Sequence, residues 1–168
     1  MNAPAPTAAA PPPAAATAEA PWLADPSLEL AALLQASHLR AFGLPLVPRA
    51  QRSSRQLAQE LFAAPLALLA HDGGDDPRLI YANRVALRLW RRSWGEMVGL
   101  PSRLTAEPSE RPGRAQALAT ARSRRALRGY GGIRIDSRGR RFRLAGARIW
   151  DLGEGQGQGA CFDDWWWL

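Results

Sequence analysis

From Tyr130 to Trp165 the sequence keeps a period of two: Tyr130 to Ile135, then Arg140 to Leu144, Ala147 to Leu152, and a last run from Gly159 to Trp165. Alternation over such lengths specifies strands with a buried face. Asp136-Ser137-Arg138-Gly139 reads as a hairpin turn, with Gly139 placed for a left-handed residue. Gly146 falls where a bulge would keep the pattern in step, and Gly153 to Gly157 form a second turn. Strands joined by such short turns pair as an antiparallel meander, so the chain is committed to a sheet.

Upstream the period is mostly helical. Asp25-Pro26-Ser27 opens a helix over 27–41, in which Leu28, Leu30, Leu33, Leu34 and Ser37 recur until Gly43 and Pro45 stop it. Ser53 or Ser54 caps a second helix through Ala63, with Leu57, Leu61 and Phe62 facing inward. The run Pro65 to Ala70 is ambiguous by composition alone; its length, its Pro and the following HDGGDDP turn favour a buried strand. Leu79 to Tyr81 form the next strand, and Asn83 stands at the N-cap of a short helix whose Val85, Ala86, Leu89 and Trp90 share one face. Trp94 and Met97 follow, Gly99 and Pro101 break the chain, and Ser102 to Thr105 make a polar turn. These pieces describe the floor and lid of a small pocket.

Between this region and the meander, Pro108 to Arg128 reads as an exposed helix. Its apolar contacts are Ala115, Leu118, Ala119, Ala126 and Leu127, and its solvated face carries Arg122, Arg124, Arg125 and Arg128. The result is an α+β chain of five strands, with helices inserted between the second and third.

Composition narrows the function. Residues 1–24 are an Ala/Pro-rich segment with almost nothing large to bury, expected as a disordered tail, and 25–168 as one domain. No stretch has the pattern of a signal peptide or the length of a membrane span, so a cytoplasmic protein is expected. Cys161 is the only cysteine, which excludes disulfides and cysteine-based zinc sites. The net charge of +7 is carried by arginine alone, there being no lysine. It would attract polyanions non-specifically, but without an aromatic-basic stacking motif nucleic-acid binding is not expected.

The residues able to carry chemistry are few. Asn83 is either a helix cap or a pocket amide that bonds a ligand. His71 and Asp72 precede Gly73-Gly74 and suit a turn-stabilising pair or a general base, although no nucleophile motif accompanies them. Arg134 and Arg141 lie on late strands, and either one pointing inward would need an anion. Ser102, Arg103 and Thr105 could hold an anionic group, or Arg103 could pin its own loop. Trp90, Trp94 and Trp150 are core aromatics or a stacking surface. With Tyr81 these make the candidate ligand-binding set: His71, Tyr81, Asn83, Trp90, Trp94, Ser102, Arg103, Thr105, Arg134, Arg141 and Trp150. A metal site is not expected, because His38 and His71 lie in different segments.

The segments AHDGGDDP, YANRVALRLW, SWGEMVGLPSRLTAEP, YGGIRIDSRGRRFRLAGARIWDL and GQGACF together resemble the MEKHLA family, over roughly residues 28–165. It is a PAS-like domain found alone in bacteria and at the C-terminus of plant class III homeodomain leucine-zipper proteins. The resemblance implies a five-stranded antiparallel sheet in the order 2-1-5-4-3, helices on one face, and the N-terminal helices in addition. It implies a sensory or regulatory role: a small-molecule ligand, a homodimer or a protein partner, with no settled activity. Flavin photosensors of this fold carry a reactive Cys in the helices after the second strand, and no Cys lies between Val85 and Trp94. Haem would need an axial His in those helices, so the cofactor is left unknown. Two departures fall near the pocket: Ala70 stands where the family usually has Ser, and Gly159-Ala160-Cys161 where Ala-Ala-Thr is common. The closing Trp165-Trp166-Trp167 cannot all enter one core from a strand, which leaves an aromatic for a partner.

Overall fold

The computed structural model describes residues 19–48 and 52–168. Helix α1 (Asp25–Phe42) ends at Gly43, whose φ of 71° supplies the left-handed C-cap, and α2 (Ser54–Ala63) begins at a capping box between Ser53 and Gln56. Strands β1 (Ala67–His71) and β2 (Leu79–Ala82) follow, then α3 (Arg84–Trp90) and α4 (Trp94–Met97). After two 3-10 turns come α5 (Arg111–Arg124), β3 (Ala126–Ile135), β4 (Arg141–Gly153), β5 (Gly157–Phe162) and β6 (Asp164–Trp167).

The strands pair antiparallel in the order β2-β1-β5-β4-β3, which is the expected 2-1-5-4-3. A sixth strand extends the expectation. β5 and β6 lie end to end along β4, β5 pairing with its second half and β6 with Phe142–Ala145. The final run is thus two strands separated at Asp163, both using one long neighbour.

Two glycine bulges set which side chains share a face. Between Leu144 and Ala147 β4 carries one more residue than its partner β3, and Gly146 takes a φ of 64° there. Phe142 and Leu144 before the bulge, and Ala147 and Ile149 after it, therefore stay on one side. On β3 the extra residue lies between Leu127 and Tyr130, where Gly129 has a φ of 74°. Without these bulges the two halves of the hairpin would bury opposite faces.

Helices cover both sides. On one, α1 and α2 bury Leu68, Ala70, Tyr81, Trp150, Leu152 and Cys161. On the other, α3 and α5 cover Ala67, Leu69, Phe142, Leu144, Ala147, Ile149 and Phe162. Of the segment expected as a tail, the described residues are ordered against the domain: Pro21–Leu23 form a 3-10 turn, and Trp22 stacks on Phe62 with ring centroids 3.6 Å apart. Residues 1–18 lie outside the described part.

The arginine-rich helix is shorter than its composition suggested. It stops at Arg124, Arg125 turns with a φ of 66°, and Ala126 and Leu127 are already paired to Trp150 and Ile149. Its buried stripe is also rotated, with Ala117 and Ala121 facing inward while Ala115 and Ala119 are exposed. Burial against β3 and β4 outweighed a propensity shared by every Ala in the segment.

Candidate functional site

The site is a partly open cavity of about 60 Å³ between α5 and the sheet. Its walls are mostly apolar: Leu69, Leu79, Trp90, Leu118, Leu144, Ala147, Ile149, Ala160 and Phe162. Into these walls are set Arg114 from α5, Tyr130 and Arg134 from β3, His71 from the end of β1, Gln158 from the start of β5, and Thr105 from the turn after α4. Few polar groups converging in an apolar concavity is the usual build of a small-ligand site.

Each polar group has a local reason for its place. Arg134 alternates inward from β3 and is only 5% exposed. It donates to the Ile133 carbonyl at 2.8 Å and to the Tyr130 hydroxyl at 3.0 Å, both neutral acceptors. Arg114 shares the buried stripe of α5 with Ala117, Leu118 and Ala121, one turn apart. Burial, and then the neighbouring Arg134 charge, lower its pKa to about 10 against the opposing pull of Tyr130. Among the described residues no carboxylate lies within ion-pairing distance of either guanidinium.

His71 and Gln158 are direct cross-strand partners, so their side chains stand next to each other on the cavity face. The His71 Nδ1 lies 2.7 Å from the carbonyl oxygen of Asp72. A carbonyl only accepts, so Nδ1 carries the proton and Nε2 presents a lone pair. Burial, and the nearby Arg114, hold the ring below its ordinary pKa and so keep it neutral. Gln158 donates from Nε2 to the Leu118 carbonyl at 2.9 Å. His71 Nε2 and Gln158 Oε1 are both buried acceptors without a hydrogen-bond partner.

Of the residues singled out from sequence, His71, Trp90, Thr105 and Arg134 line this cavity together. The others lie elsewhere. Asn83 is buried and fully committed: its Oδ1 accepts from Leu68 N at 3.0 Å and Ala86 N at 3.1 Å, and its Nδ2 donates to the Leu66 carbonyl at 2.7 Å. It is the helix cap and also a clamp between β1 and α3, with no capacity left for a ligand. Tyr81 and Trp94 meet edge to face on the α2 side, their ring centroids 5.6 Å apart. Trp150 lies under α1, its indole donating to Ser37 Oγ at 2.9 Å.

Arg103 and Arg141 lie at the surface, outside the cavity. Arg103 makes a two-pronged pair with Asp76 at 3.0 and 3.3 Å, half exposed, and Arg141 pairs with Glu107 at 2.8 Å. Ser102 is buried, its carbonyl accepting from Thr105 Oγ1 at 2.7 Å, and is absent from the cavity walls. The sequence reading missed Arg114, Tyr130 and Gln158. Arg114 had a readable signal, a cation on the stripe of Ala117, Leu118 and Ala121. Gln158, in a glycine-rich turn, had none.

One family departure has a packing reason. A methyl on Gly159 would overlap the six-membered ring of Trp150, so glycine is what lets the indole lie across β5. Among the described residues no group of acidic, histidine and cysteine side chains could hold a metal ion, and no helix is long and apolar enough to cross a membrane.

Similarity searches agree with this architecture. No curated protein matches the chain. A solved PAS domain from Colwellia psychrerythraea superposes with a TM-score of 0.56 at 15% identity, covering 64% of this chain and 92% of that one. A light-oxygen-voltage domain studied with a flavin analogue gives 0.52 at 19% identity, covering 67% and 84%. An RNA-binding light-oxygen-voltage receptor gives 0.53 at 19% identity, covering 73% of this chain and 36% of that one. At such identities the likeness is one of fold. The MEKHLA domain model matches residues 28–167, nearly the whole chain, and the protein therefore belongs to the MEKHLA domain family.

Proposed function

We propose that the protein is a cytoplasmic PAS-like sensory or regulatory module that binds a small ligand in the cavity under α5 and performs no catalysis. The observation that carries this reading is the pair of buried acceptors, His71 Nε2 and Gln158 Oε1, left without partners in a mostly apolar cavity. An unpaired buried polar atom costs about 1–3 kcal/mol, and a ligand offering a donor would recover it. Pockets enclosing drug-sized ligands measure roughly 300–1,000 Å³. A cavity of about 60 Å³ calls for a ligand much smaller than a flavin.

The enzymatic alternative, His71 and Asp72 acting with Arg103 on a small acid, has little geometric support. His71 bonds the backbone of Asp72 and not its carboxylate, and Arg103 is engaged by Asp76 at the surface. Native mass spectrometry of freshly purified protein, compared with the denatured sample, tests the binding reading. A small mass present only in the native spectrum, whose readdition shifts the Trp90 indole resonance, is the expected result. No such mass, and no shift of that resonance across a metabolite library, would refute it.

A second reading is self-association through the C-terminal strand, favoured by Trp166 at 45% and Leu168 at 55% exposure. Trp165 and Trp167 turn inward on Phe142, with ring centroids 6.3 and 5.6 Å away, and Arg140 covers Trp167 at 4.0 Å. Trp166 is thus the member of the triplet left for a partner. Light scattering over a concentration series should detect a dimer that Trp166→Ser removes; a monomer throughout would end this reading.

A further inference from the structure

We propose that the ligand of the α5 cavity is a short hydroxy acid, its carboxylate taken by Arg114 and Arg134 and its hydroxyl donated to His71 Nε2 or Gln158 Oε1. This rests on the ligand-binding reading above and adds the chemical class. Three observations carry it: two cations without a carboxylate partner, two adjacent acceptors without a donor, and the size and lining of the space between them.

Arg134 is buried with only neutral acceptors, and Arg114 stands near enough to feel its charge. Two guanidiniums converging in low dielectric repel each other, and an anion between them reverses that cost. Among the described residues none is supplied: no carboxylate pairs with either guanidinium, and Glu110, whose Oε2 accepts from the Ile133 amide at 3.1 Å, forms no ion pair with Arg134.

The acceptors select against a plain acid. His71 Nε2 holds a lone pair because Nδ1 is committed to Asp72, and Gln158 Oε1 is an acceptor because its amide nitrogen is committed to Leu118. A carboxylate near either would bring lone pairs against lone pairs, so the part of the ligand that meets them must donate. An ammonium would donate too, but the two arginines and the desolvation that keeps His71 neutral oppose a further positive charge there. A hydroxyl meets the requirement without charge. The apolar walls and a volume of about 60 Å³ admit a body of a few carbons and no phosphorylated sugar.

The test is titration of the full chain, ¹⁵N-labelled, with 2-hydroxy and 3-hydroxy acids of three to five carbons, read at the Trp90 indole and the Gln158 side-chain amide. Each acid is compared with its deoxy analogue (propanoate beside lactate) and its neutral amide (lactamide). At least one hydroxy acid should bind, with the deoxy acid about 5-fold weaker and the amide about 10-fold weaker or more. Arg114→Gln should weaken the acid about 10-fold while leaving the amide unchanged, and Arg114→Lys should restore part of the loss. Gln158 and Trp90 resonances that move equally for acid and amide overturn the anion assignment while leaving the cavity a ligand site. Resonances that move for inorganic phosphate and for no carboxylate overturn the hydroxy acid. Resonances that move for nothing overturn both the class and the binding reading.

Discussion

On the side of the sheet covered by α1 and α2, the Trp150 indole reaches Ser37, His38 Nδ1 reaches the Leu44 carbonyl at 2.7 Å, and Asn83 uses both its oxygen and its nitrogen. On the side covered by α5, two arginines go without carboxylates and two acceptors go without donors. Both sides have comparable aromatic and aliphatic walls, so hydrophobicity does not separate them. Pairing does. Among the described residues the first side is complete as a core, with the buried Tyr81 hydroxyl its one polar atom lacking a partner, whereas the second is complete only with something added. A sheet whose two faces are equally apolar can keep one for stability and leave the other for a ligand, and the accounting of buried polar atoms tells which is which.

If that contrast is sound, truncation on the packed side should cost most. Trp150→Ala removes a fully buried ring that fits over Gly159 and takes away the donor to Ser37 Oγ, and should lower unfolding free energy by about 3–5 kcal/mol in urea melts. Asn83→Ala should cost about 3 kcal/mol, because it leaves the Leu68 and Ala86 amides buried without an acceptor. A cost below 1 kcal/mol for either would erase the distinction.

Acid should also act through the packed side. Burial holds His38 down to a pKa of about 4, against the opposing hydrogen bond to Leu44 and with help from the charges of Arg148 and Arg128. The unfolded chain, with an ordinary histidine near 6.5, binds the proton first. Stability is therefore full above about pH 6.5 and falls as the pH drops toward 4, by roughly 3 kcal/mol from this residue. An NMR titration placing His38 near 6.5 would contradict the buried neutral ring.

The smallest effect is the sharpest discriminator. Arg114→Leu removes a desolvated, unpaired cation from the cavity side, so the melting temperature should stay level or rise by the equivalent of about 1 kcal/mol. A loss above 1 kcal/mol would mean that Arg114 stabilises the empty protein, and the cavity side would then be a core like the other.

Much of this was legible in the residues. The alternation after Tyr130, the capping Ser53 and Asn83, and the glycine at 146 act through local sterics and short-range hydrogen bonds, so they mean the same thing in the sequence as in the fold. Arg134 was recognised as a residue that would need an anion if it pointed inward, but its direction depended on a bulge whose register only β4 could fix. Arg103, in a loop resembling an anion site, was claimed by Asp76, 27 positions away in the chain.

The sequence by itself determined the first five strands and their helices in order, the caps and the family, because each is written in neighbouring residues. Only the tertiary structure decided that Arg114, Arg134, His71 and Gln158 share one cavity while Tyr81, Trp94 and Trp150 lie across the sheet. Those four come from α5, β3, β1 and β5. Their meeting depends on strand order and on the rotation of one helix, and both are set by which surfaces bury the most apolar area together.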